Sequence, residues 1–255
     1  MRVVKIGGRA QADPGLSGVI REAWDAAPGK LCIVHGGGDE ITAMQNALGR
    51  AAAFVGGRRV TSKADLALLR MVLSGSVNKR IVNQLVNASV PAVGISGEDN
   101  ALIGAEIIDS ETLGFAGRPT RIESRLLRTM LEAGFLPIVS PVAYDLSSST
   151  GGTLNVNGDD AAAAIAVSMN ADELLFVADV EGVRDAGGEI ARSIEPGFAR
   201  DLIVEGVATG GMAAKLESAH AALAAGVKRV RISDLASLVD WERGTLITQA
   251  EGVLS

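Results

Sequence analysis

The chain has 255 residues, a formal net charge of −6 and 47% hydrophobic residues, of which few are aromatic. This length allows one large α/β domain or two lobes. The acidic balance argues against a nucleic-acid partner, no apolar run approaches the roughly 18 residues of a membrane span, and the single cysteine, Cys32, excludes an internal disulfide. The two histidines lack zinc-ligand spacing, and the start predicts a strand instead of a signal peptide, so we expect no resident metal and a cytoplasmic protein.

The first elements predict a βαβ unit. Residues 2–6 contain three β-branched apolar residues and are followed by a glycine pair, which is typical of a strand that ends in a turn. Asp13-Pro14 has the pattern of a helix start, and residues 16–24 carry apolar side chains at helical spacing. Residues 31–34 form a second apolar, β-branched run, so the two strands should be parallel with a right-handed crossover.

The second strand leads into a stretch that has the pattern of a ligand-binding turn. Three glycines, Gly36 to Gly38, separate the strand from a predicted helix over residues 39–48. Because glycine has no Cβ, such a turn lets the backbone approach a ligand closely, and the N–H groups of the helix start favour an anion. A tight turn without a ligand is the alternative.

Strand-like and helix-like patterns alternate along the rest of the chain, which predicts a mostly parallel sheet covered by helices on both faces. We predict strands at 91–96, 136–140, 174–178, 230–233 and 245–247, short antiparallel strands within 103–120, a hairpin or exposed loop at 54–61, and helices at 64–73, 77–87, 122–133, 161–169, 196–205 and 213–225. Glycine and polar clusters fall at strand ends, where they could converge on one crevice.

Two lysines adjoin glycine clusters and are candidates for contacting a phosphoryl group. Lys5 precedes Gly7-Gly8, and Lys215 lies in the first turn of a predicted helix that follows Gly210-Gly211. An ammonium group suits a phosphoryl oxygen, whereas a helix start disfavours a cation that has no function there. An exposed strand end for Lys5 and a solvated helix position for Lys215 are the alternatives.

The familiar nucleotide and hydrolase motifs are absent. Gly29-Lys30 is followed by Leu31, so there is no Walker-type phosphate loop, and no Gly-x-Ser-x-Gly occurs. A phosphoryl-transfer enzyme of another kind remains open, because such enzymes act mainly by positioning and charge neutralisation.

Eight segments in order resemble the motifs of the amino-acid kinase family: VVKIGG, IVHGGGDEI, GGRRVTS, VLSGSVNKRIV, AVGISGEDN, LNVNGDDAA, FVADVEGV and TGGMAAKLESA. The resemblance implies a three-layer α/β/α sandwich around a mainly parallel open sheet of about eight strands. It implies an N-terminal lobe (1–171) for the amino-acid substrate and dimerisation, and a C-terminal lobe (172–255) for ATP. The implied reaction moves the γ-phosphoryl group of MgATP to the side-chain carboxylate of N-acetyl-L-glutamate, which gives an acyl phosphate.

The resemblance also assigns roles to residues. Lys5 and Lys215 would stabilise the transferring phosphoryl group, and Asp159, which from the residues alone could be a plain N-cap, would hold both lysines. The implied substrate ligands are Gly37, Gly38, Arg59 and Asn155, with Arg59 on a carboxylate. The implied nucleotide site comprises Gly7, Asp179, Val180, Gly182, Val183, Val207, Thr209 and Gly211. Mg²⁺ would be held mainly through the phosphates, and we expect Arg58 to face solvent.

Two other functions stay open on the same fold. One is a lysine-biosynthesis kinase that acts on a carrier-protein-bound aminoadipate or glutamate, and the other is a non-catalytic amino-acid sensor. The presence of Lys5, Lys215 and Asp159 favours catalysis over sensing, and the acidic net charge disfavours an acidic carrier. Because the chain starts at the first strand, without the extra N-terminal helix of arginine-inhibited hexamers in this family, we expect an arginine-insensitive homodimer.

Overall fold

The computed structural model describes residues 1–185 and 187–248, in which strands and helices alternate. The strands are β1 (Arg2–Ile6), β2 (Leu31–His35), β3 (Phe54–Val55), β4 (Arg58–Arg59), β5 (Ala92–Gly97), β6 (Ile103–Ile107), β7 (Ala116–Ile122), β8 (Leu136–Asp145), β9 (Thr153–Val156), β10 (Glu173–Val177), β11 (Ser193–Ile194), β12 (Val230–Ser233) and β13 (Thr245–Ile247). The α-helices are α1 (Leu16–Ala26), α2 (Gly38–Ala47), α3 (Lys63–Arg70), α4 (Asn78–Asn87), α5 (Arg125–Glu132), α6 (Gly158–Ser168), α7 (Pro196–Val204) and α8 (Gly210–Ala224). The last part of the predicted C-terminal lobe, residues 249–255, lies outside the described residues.

Most strands belong to one mixed sheet. Among the described residues it has eleven strands, in the order β11-β13-β12-β10-β1-β2-β8-β6-β7-β9, with β5 also paired to β8. All pairings in it are parallel except β6–β7, β8–β9 and β12–β13, so the prediction of a mainly parallel sheet is confirmed. The strand count of about eight that the family resemblance implied was too low, and the sheet includes the short strands β9 and β11, of four and two residues.

The central strands position the candidate site. β1, β2 and β10 are buried at every residue, as is typical of a parallel sheet covered on both faces. β1 pairs in parallel with β2, and Ile6 is aligned with His35. The glycine turns that follow these two strands therefore leave the sheet at the same edge.

Three predicted boundaries differ from the structure. Residues 63–87 are not interrupted at the Ser-Gly-Ser sequence, because a π-helical turn (Met71–Val77) with buried Val72, Leu73 and Val77 joins α3 to α4. Helix α1 begins at Leu16, later than Asp13-Pro14 suggested. The Asp13 carboxylate accepts from the N–H of Gly15 and thereby closes a turn before the helix. Residues 122–124 precede α5, because Ile122 ends β7.

No helix among the described residues has the length and apolar character needed to cross a membrane.

Candidate active site

A cleft of about 680 Å³ opens at the carboxyl ends of β1 and β2. Its lining comes from Lys5, from the turn 36–38, from the hairpin 54–59, from residues 155–159 and from the start of α8 at 210–211. These segments are far apart in the chain, so the fold brings together most of the stretches that the sequence indicated as functional. This position agrees with the general location of ligand sites in parallel α/β sheets.

Two lysines meet on one buried carboxylate, Asp159, which lines this cleft together with Lys5, whereas Lys215 is not part of the lining and contacts Asp159. Lys5 Nζ lies 2.8 Å from Asp159 Oδ1, and Lys215 Nζ lies 3.4 Å from Asp159 Oδ2. The Asp159 side chain is only 6% exposed. It does not cap α6, because the N-cap is Asn157, whose side chain accepts from the N–H of Asp159 at 2.8 Å. Asp159 is therefore free to hold both ammonium groups.

The electrostatics of this cluster leave an excess of positive charge. Burial would raise the pKa of the Asp159 carboxyl, but Lys5 and Lys215 more than offset burial, and the pKa lies below its usual value. Burial lowers the pKa of the Lys215 ammonium group, and Asp159 acts in the opposite direction. With one carboxylate between two ammonium groups, the cluster attracts an additional anion.

Two helix N-termini without side-chain caps also face the cleft. α2 follows Gly37 and α8 follows Thr209, and neither helix has a side-chain cap hydrogen bond. The first N–H groups of a helix have no partner within it, and the helix dipole favours an anion at this end. A Cβ at Gly37 would lie only 2.6 Å from Leu73 Cδ2, so a side chain here would displace the buried Leu73. The cleft therefore offers main-chain donors for oxyanions from two sides.

Arg59 provides a buried cation where the hairpin 54–59 lines the cleft. Its Nη1 donates to Gln45 Oε1 at 2.5 Å. Its Nη2 donates to Gly38 O and Thr42 Oγ1, both at 2.9 Å. The guanidinium carbon lies 4.7 Å from the Phe54 ring centroid. Burial is the main cause that lowers its pKa, and no carboxylate among the described residues pairs with it. A buried guanidinium held by neutral partners is suited to bind a ligand carboxylate.

The prediction that Arg58 faces solvent was wrong. Its side chain is 33% exposed and lines the cleft, and its Nη1 lies 2.6 Å from Asp160 Oδ2. The reason is that the start of α6 lies against the hairpin, a tertiary contact that the local sequence does not indicate. Asn155, on β9, lies in the cleft as predicted and donates from Nδ2 to Thr61 Oγ1 at 2.9 Å.

His35 supports the glycine turn, a role that the sequence did not indicate. Nδ1 of the fully buried ring lies 2.8 Å from Gly36 O, and Nε2 lies 3.1 Å from Asn78 Nδ2. These partners assign a neutral ring that donates through Nδ1 and accepts through Nε2. Burial is the main cause that lowers its pKa to about 4. Its place between a strand and three glycines was the only local signal, since Asn78 is 43 residues away.

The structure brings only part of the predicted nucleotide site to the cleft. Gly211 lines the cleft, and Gly7 directly precedes the lining residue Gly8. Asp179 lines a neighbouring hollow of about 610 Å³ and pairs at 2.7 Å with Arg9, which lines both spaces. The other residues are absent from the lining of either space: Val180, Gly182, Val183, Val207 and Thr209.

The carboxylates near the cleft do not form a ligand set for a metal ion. In the part of the chain that the structure describes, no three His, Cys, Asp or Glu side chains are grouped to hold one. Asp159 and Asp160 each pair with a cation, and Asp179 pairs with Arg9. A divalent ion would therefore need most of its ligands from a bound molecule.

Comparison with known proteins identifies the family. Residues 1–234 match the model of the amino acid kinase family. The chain belongs to this family. An acetylglutamate kinase of Cereibacter sphaeroides is 42% identical over 238 residues, which cover 91% of this chain and 79% of that protein. An acetylglutamate kinase of Geobacillus kaustophilus is 45% identical over 202 residues, 79% of this chain and 77% of that protein.

One solved structure has a similar fold over nearly the whole length of this chain. The crystal structure of smu.665 from Streptococcus mutans superimposes with a TM-score of 0.86 at 33% sequence identity. The match covers 97% of this chain and 98% of that chain. The α/β fold that the sequence predicted is therefore confirmed.

Proposed function

We propose that this protein catalyses the ATP-dependent phosphorylation of the side-chain carboxylate of N-acetyl-L-glutamate, the second step of arginine biosynthesis. The two relatives named acetylglutamate kinase, at 42% and 45% identity, support the substrate. The observation that carries the proposal is the meeting of Lys5 and Lys215 on Asp159, which lines the same cleft as Arg59, a buried guanidinium with no carboxylate partner among the described residues.

The acceptor occupies the end of the cleft at the hairpin. Arg59 binds the carboxylate that does not react, and the N–H groups of Gly37 and Gly38 and the amide of Asn155 contact the rest of the molecule. A side-chain carboxyl with a reference pKa of about 4.3 is already ionised at neutral pH, so the reaction needs no general base. His35 does not supply one, because its Nε2 accepts from Asn78.

The nucleotide occupies the end of the cleft at α8. Lys5, Lys215 and the N–H groups at the start of α8 contact the phosphates. The predicted residues that surround the rest of the nucleotide are Gly7, Asp179, Val180, Gly182, Val183, Val207, Thr209 and Gly211. Mg²⁺ would be held mainly through the phosphates, where it would neutralise part of their charge.

Phosphoryl transfer then requires little beyond placement and charge. An acceptor carboxylate oxygen forms a bond to the γ-phosphorus, the bond from that phosphorus to the bridging oxygen breaks, and ADP leaves with the electron pair. No proton moves in this step. Both reactants are anions, so Lys5, Lys215 and the uncapped starts of α2 and α8 stabilise the transition state. Asp159 keeps the two ammonium groups in place.

We propose a cytoplasmic homodimer of two-lobed chains. The N-terminal lobe (1–171) binds the acceptor and forms the dimer, and the C-terminal lobe (172–255) binds ATP. The helices form one layer on each face of the sheet, a three-layer α/β/α sandwich, which the complete burial of β1, β2 and β10 supports. Sizing in solution tests the assembly, and a monomer at micromolar concentration would contradict it.

A hydroxamate assay tests the reaction, because hydroxylamine traps an acyl phosphate. ATP-dependent hydroxamate should form with N-acetyl-L-glutamate and not with glutamate, aspartate or aminoadipate tested side by side. Activity on free glutamate alone would refute N-acetyl-L-glutamate as the acceptor. Activity on aminoadipate alone would favour the lysine-biosynthesis kinase. Lys5→Met should lose most of this activity, because it removes an ammonium group from the cleft. Lys30→Met is its matched control, since Lys30 precedes β2 at the opposite edge of the sheet and lies outside the cleft lining.

A further inference from the structure

Asp160, the neighbour of Asp159, connects the hairpin of β3 and β4 to helix α8. Its Oδ2 accepts from Arg58 Nη1 at 2.6 Å, and its Oδ1 accepts from Ser218 Oγ at 3.0 Å. Each oxygen therefore binds a side chain from a different element. Arg58 belongs to the acceptor end of the cleft, whereas Ser218 belongs to the helix that carries Lys215.

Helix α8 is attached to the start of α6 at two points. Lys215 and Ser218 are three residues apart on α8, so they lie on the same helix face. Lys215 binds Asp159, with 3.4 Å between Nζ and Oδ2, and Ser218 binds Asp160. The polar connection from Arg58 at the hairpin thus reaches the helix turn that places the Lys215 ammonium group.

The two arginines of the hairpin attach it to neighbouring elements. Phe54 and Val55 are 55% and 46% exposed, so apolar burial contributes little there. Arg59 attaches it to the turn after β2, and Arg58 attaches it to α6. A ligand that binds Arg59 therefore acts on an element that is also connected to α8, through Arg58 and Asp160. Elements with few buried apolar contacts respond most readily to a ligand.

We propose that Arg58 is a positioning residue that couples occupancy of the acceptor end of the cleft to the placement of Lys215. The coupling runs through Asp160 and Ser218. The inference rests on the proposed function, since the two coupled ligands are the acceptor and the nucleotide. The Arg58 and Asp160 side chains are 33% and 18% exposed. A partly exposed ion pair contributes little to folding stability. Loss of this pair should therefore change the coupling between acceptor and nucleotide binding and leave the fold intact.

Titration calorimetry measures this coupling without turnover. The dissociation constant of a non-hydrolysable ATP analogue with magnesium is determined with and without saturating N-acetyl-L-glutamate. In the wild type the acceptor should tighten nucleotide binding by about fivefold or more, the lower end of usual coupling between sites. Reciprocity requires the same factor when the order of addition is reversed.

Ser218→Ala is the decisive variant, because Ser218 lies outside the lining of the cleft. In this variant and in Arg58→Met, the coupling factor should fall to within about twofold of one. Each ligand alone should bind Ser218→Ala within about twofold of the wild type, because no ligand contact is removed. Asp160→Asn replaces Arg58→Met if the latter does not fold.

Arg70→Met is the matched control. Arg70 pairs with Glu98 at 2.9 Å and lies outside the cleft lining, and this variant should keep the wild-type coupling. Unchanged coupling in Ser218→Ala and Arg58→Met overturns the proposal, and so does equal loss in Arg70→Met or no coupling in the wild type. Hydroxamate formation by the wild type separates the two conclusions. An inactive wild type refutes the proposed function, whereas an active one with unchanged coupling refutes only the role of Arg58.

Discussion

Strand β1 carries a buried cation near each end, and each cation belongs to a group of two cations and one carboxylate. The lysine cluster, at the carboxyl end, is Lys5, Asp159 and Lys215, and the arginine cluster, at the amino end, is Arg2, Glu173 and Arg231. The two clusters have the same formal charge. The difference lies in what binds their remaining donors.

Protein groups bind most of the remaining donors of the arginine cluster, although the buried Arg2 Nε has no hydrogen-bond partner among the described residues. Arg2 donates to Leu238 O at 2.8 Å and to Ser237 O at 3.1 Å, and its guanidinium carbon lies 3.9 Å from the Trp241 ring centroid. Arg231 donates from Nη1 to Arg243 O at 3.3 Å. These contacts tie the amino ends of β1 and β12 to the segment after β12. The arginine cluster is therefore a structural support.

The lysine cluster, in contrast, borders an open cleft. Its ammonium groups have donors left over beyond Asp159, and glycine N–H groups surround the same space. A buried carboxylate with two cations thus supports the fold where main-chain carbonyls accept hydrogen bonds from the remaining donors of the cations. It forms a site for a further anion where those remaining donors border a cleft. The following variants test this contrast, from the largest expected effect to the smallest.

Glu173→Gln should give the largest loss of stability. Glu173 is fully buried, and removing its charge leaves Arg2 and Arg231 without an anionic partner. The free energy of unfolding should fall by about 3–5 kcal/mol, measured by urea denaturation. The KM for ATP of the folded fraction should stay close to the wild-type value. A loss below about 1 kcal/mol would mean that the arginine cluster is not a structural support.

Lys215→Met should mainly reduce catalysis. Without the second ammonium group, kcat should fall about 10²–10³-fold, equivalent to about 2.7–4 kcal/mol of transition-state stabilisation. The melting temperature should change little, because Asp159 keeps Lys5 as its partner. Lys228→Met is the control, since Lys228 pairs with the exposed Asp172. Equal kcat in the two variants would remove Lys215 from the mechanism.

Acid should destabilise the protein through His35. Its pKa is about 4 in the folded state and about 6.5 in an unfolded chain, so between these values the unfolded state binds more protons. Stability should therefore decrease as the pH falls from about 6.5 to 4, by about 3 kcal/mol in total. Urea denaturation across this range should show the loss in the wild type and a smaller loss in His35→Gln. His220→Gln, which removes the half-buried second histidine, should retain most of the wild-type pH dependence.

Arg59→Lys should weaken acceptor binding and leave nucleotide binding intact. An ammonium group cannot reproduce the paired donors of the guanidinium, so the KM for N-acetyl-L-glutamate should rise about 10–100-fold, as for a lost hydrogen bond to a charged group. The KM for ATP should change less than about threefold. Arg50→Lys, at a half-exposed pair with Asp65, is the comparison. A rise in both KM values would place Arg59 outside the acceptor end.

The fold elements that the sequence predicted correctly are those with strong local patterns. β1, β2 and the glycine turns after them follow from apolar runs and glycine positions. The π-helical turn (Met71–Val77) was missed, because Ser-Gly-Ser is a local breaker pattern and only the burial of Val72, Leu73 and Val77 keeps the helix continuous. Tertiary packing therefore overrode propensity there.

The site was predictable only in part, for the same reason. Lys5 and Lys215 stood out because they adjoin glycines, but their common partner, Asp159, followed from the family resemblance. The residues alone equally allowed an N-cap, a role that Asn157 has instead. The pairing of Arg58 with Asp160 spans 102 residues, and no local pattern indicates it. Such contacts depend on which helix packs against which hairpin.

The central claim is that the open lysine cluster binds the transferring phosphoryl group and the closed arginine cluster does not. Its most direct test is the equilibrium binding of ADP, magnesium, aluminium fluoride and N-acetyl-L-glutamate, a mimic of the transition state, to the wild type, Lys215→Met and Arg231→Met. Lys215→Met should bind this complex about 100-fold more weakly, with ADP alone bound almost as in the wild type, and folded Arg231→Met should bind it like the wild type. Equal binding of the mimic by Lys215→Met and the wild type would contradict the account.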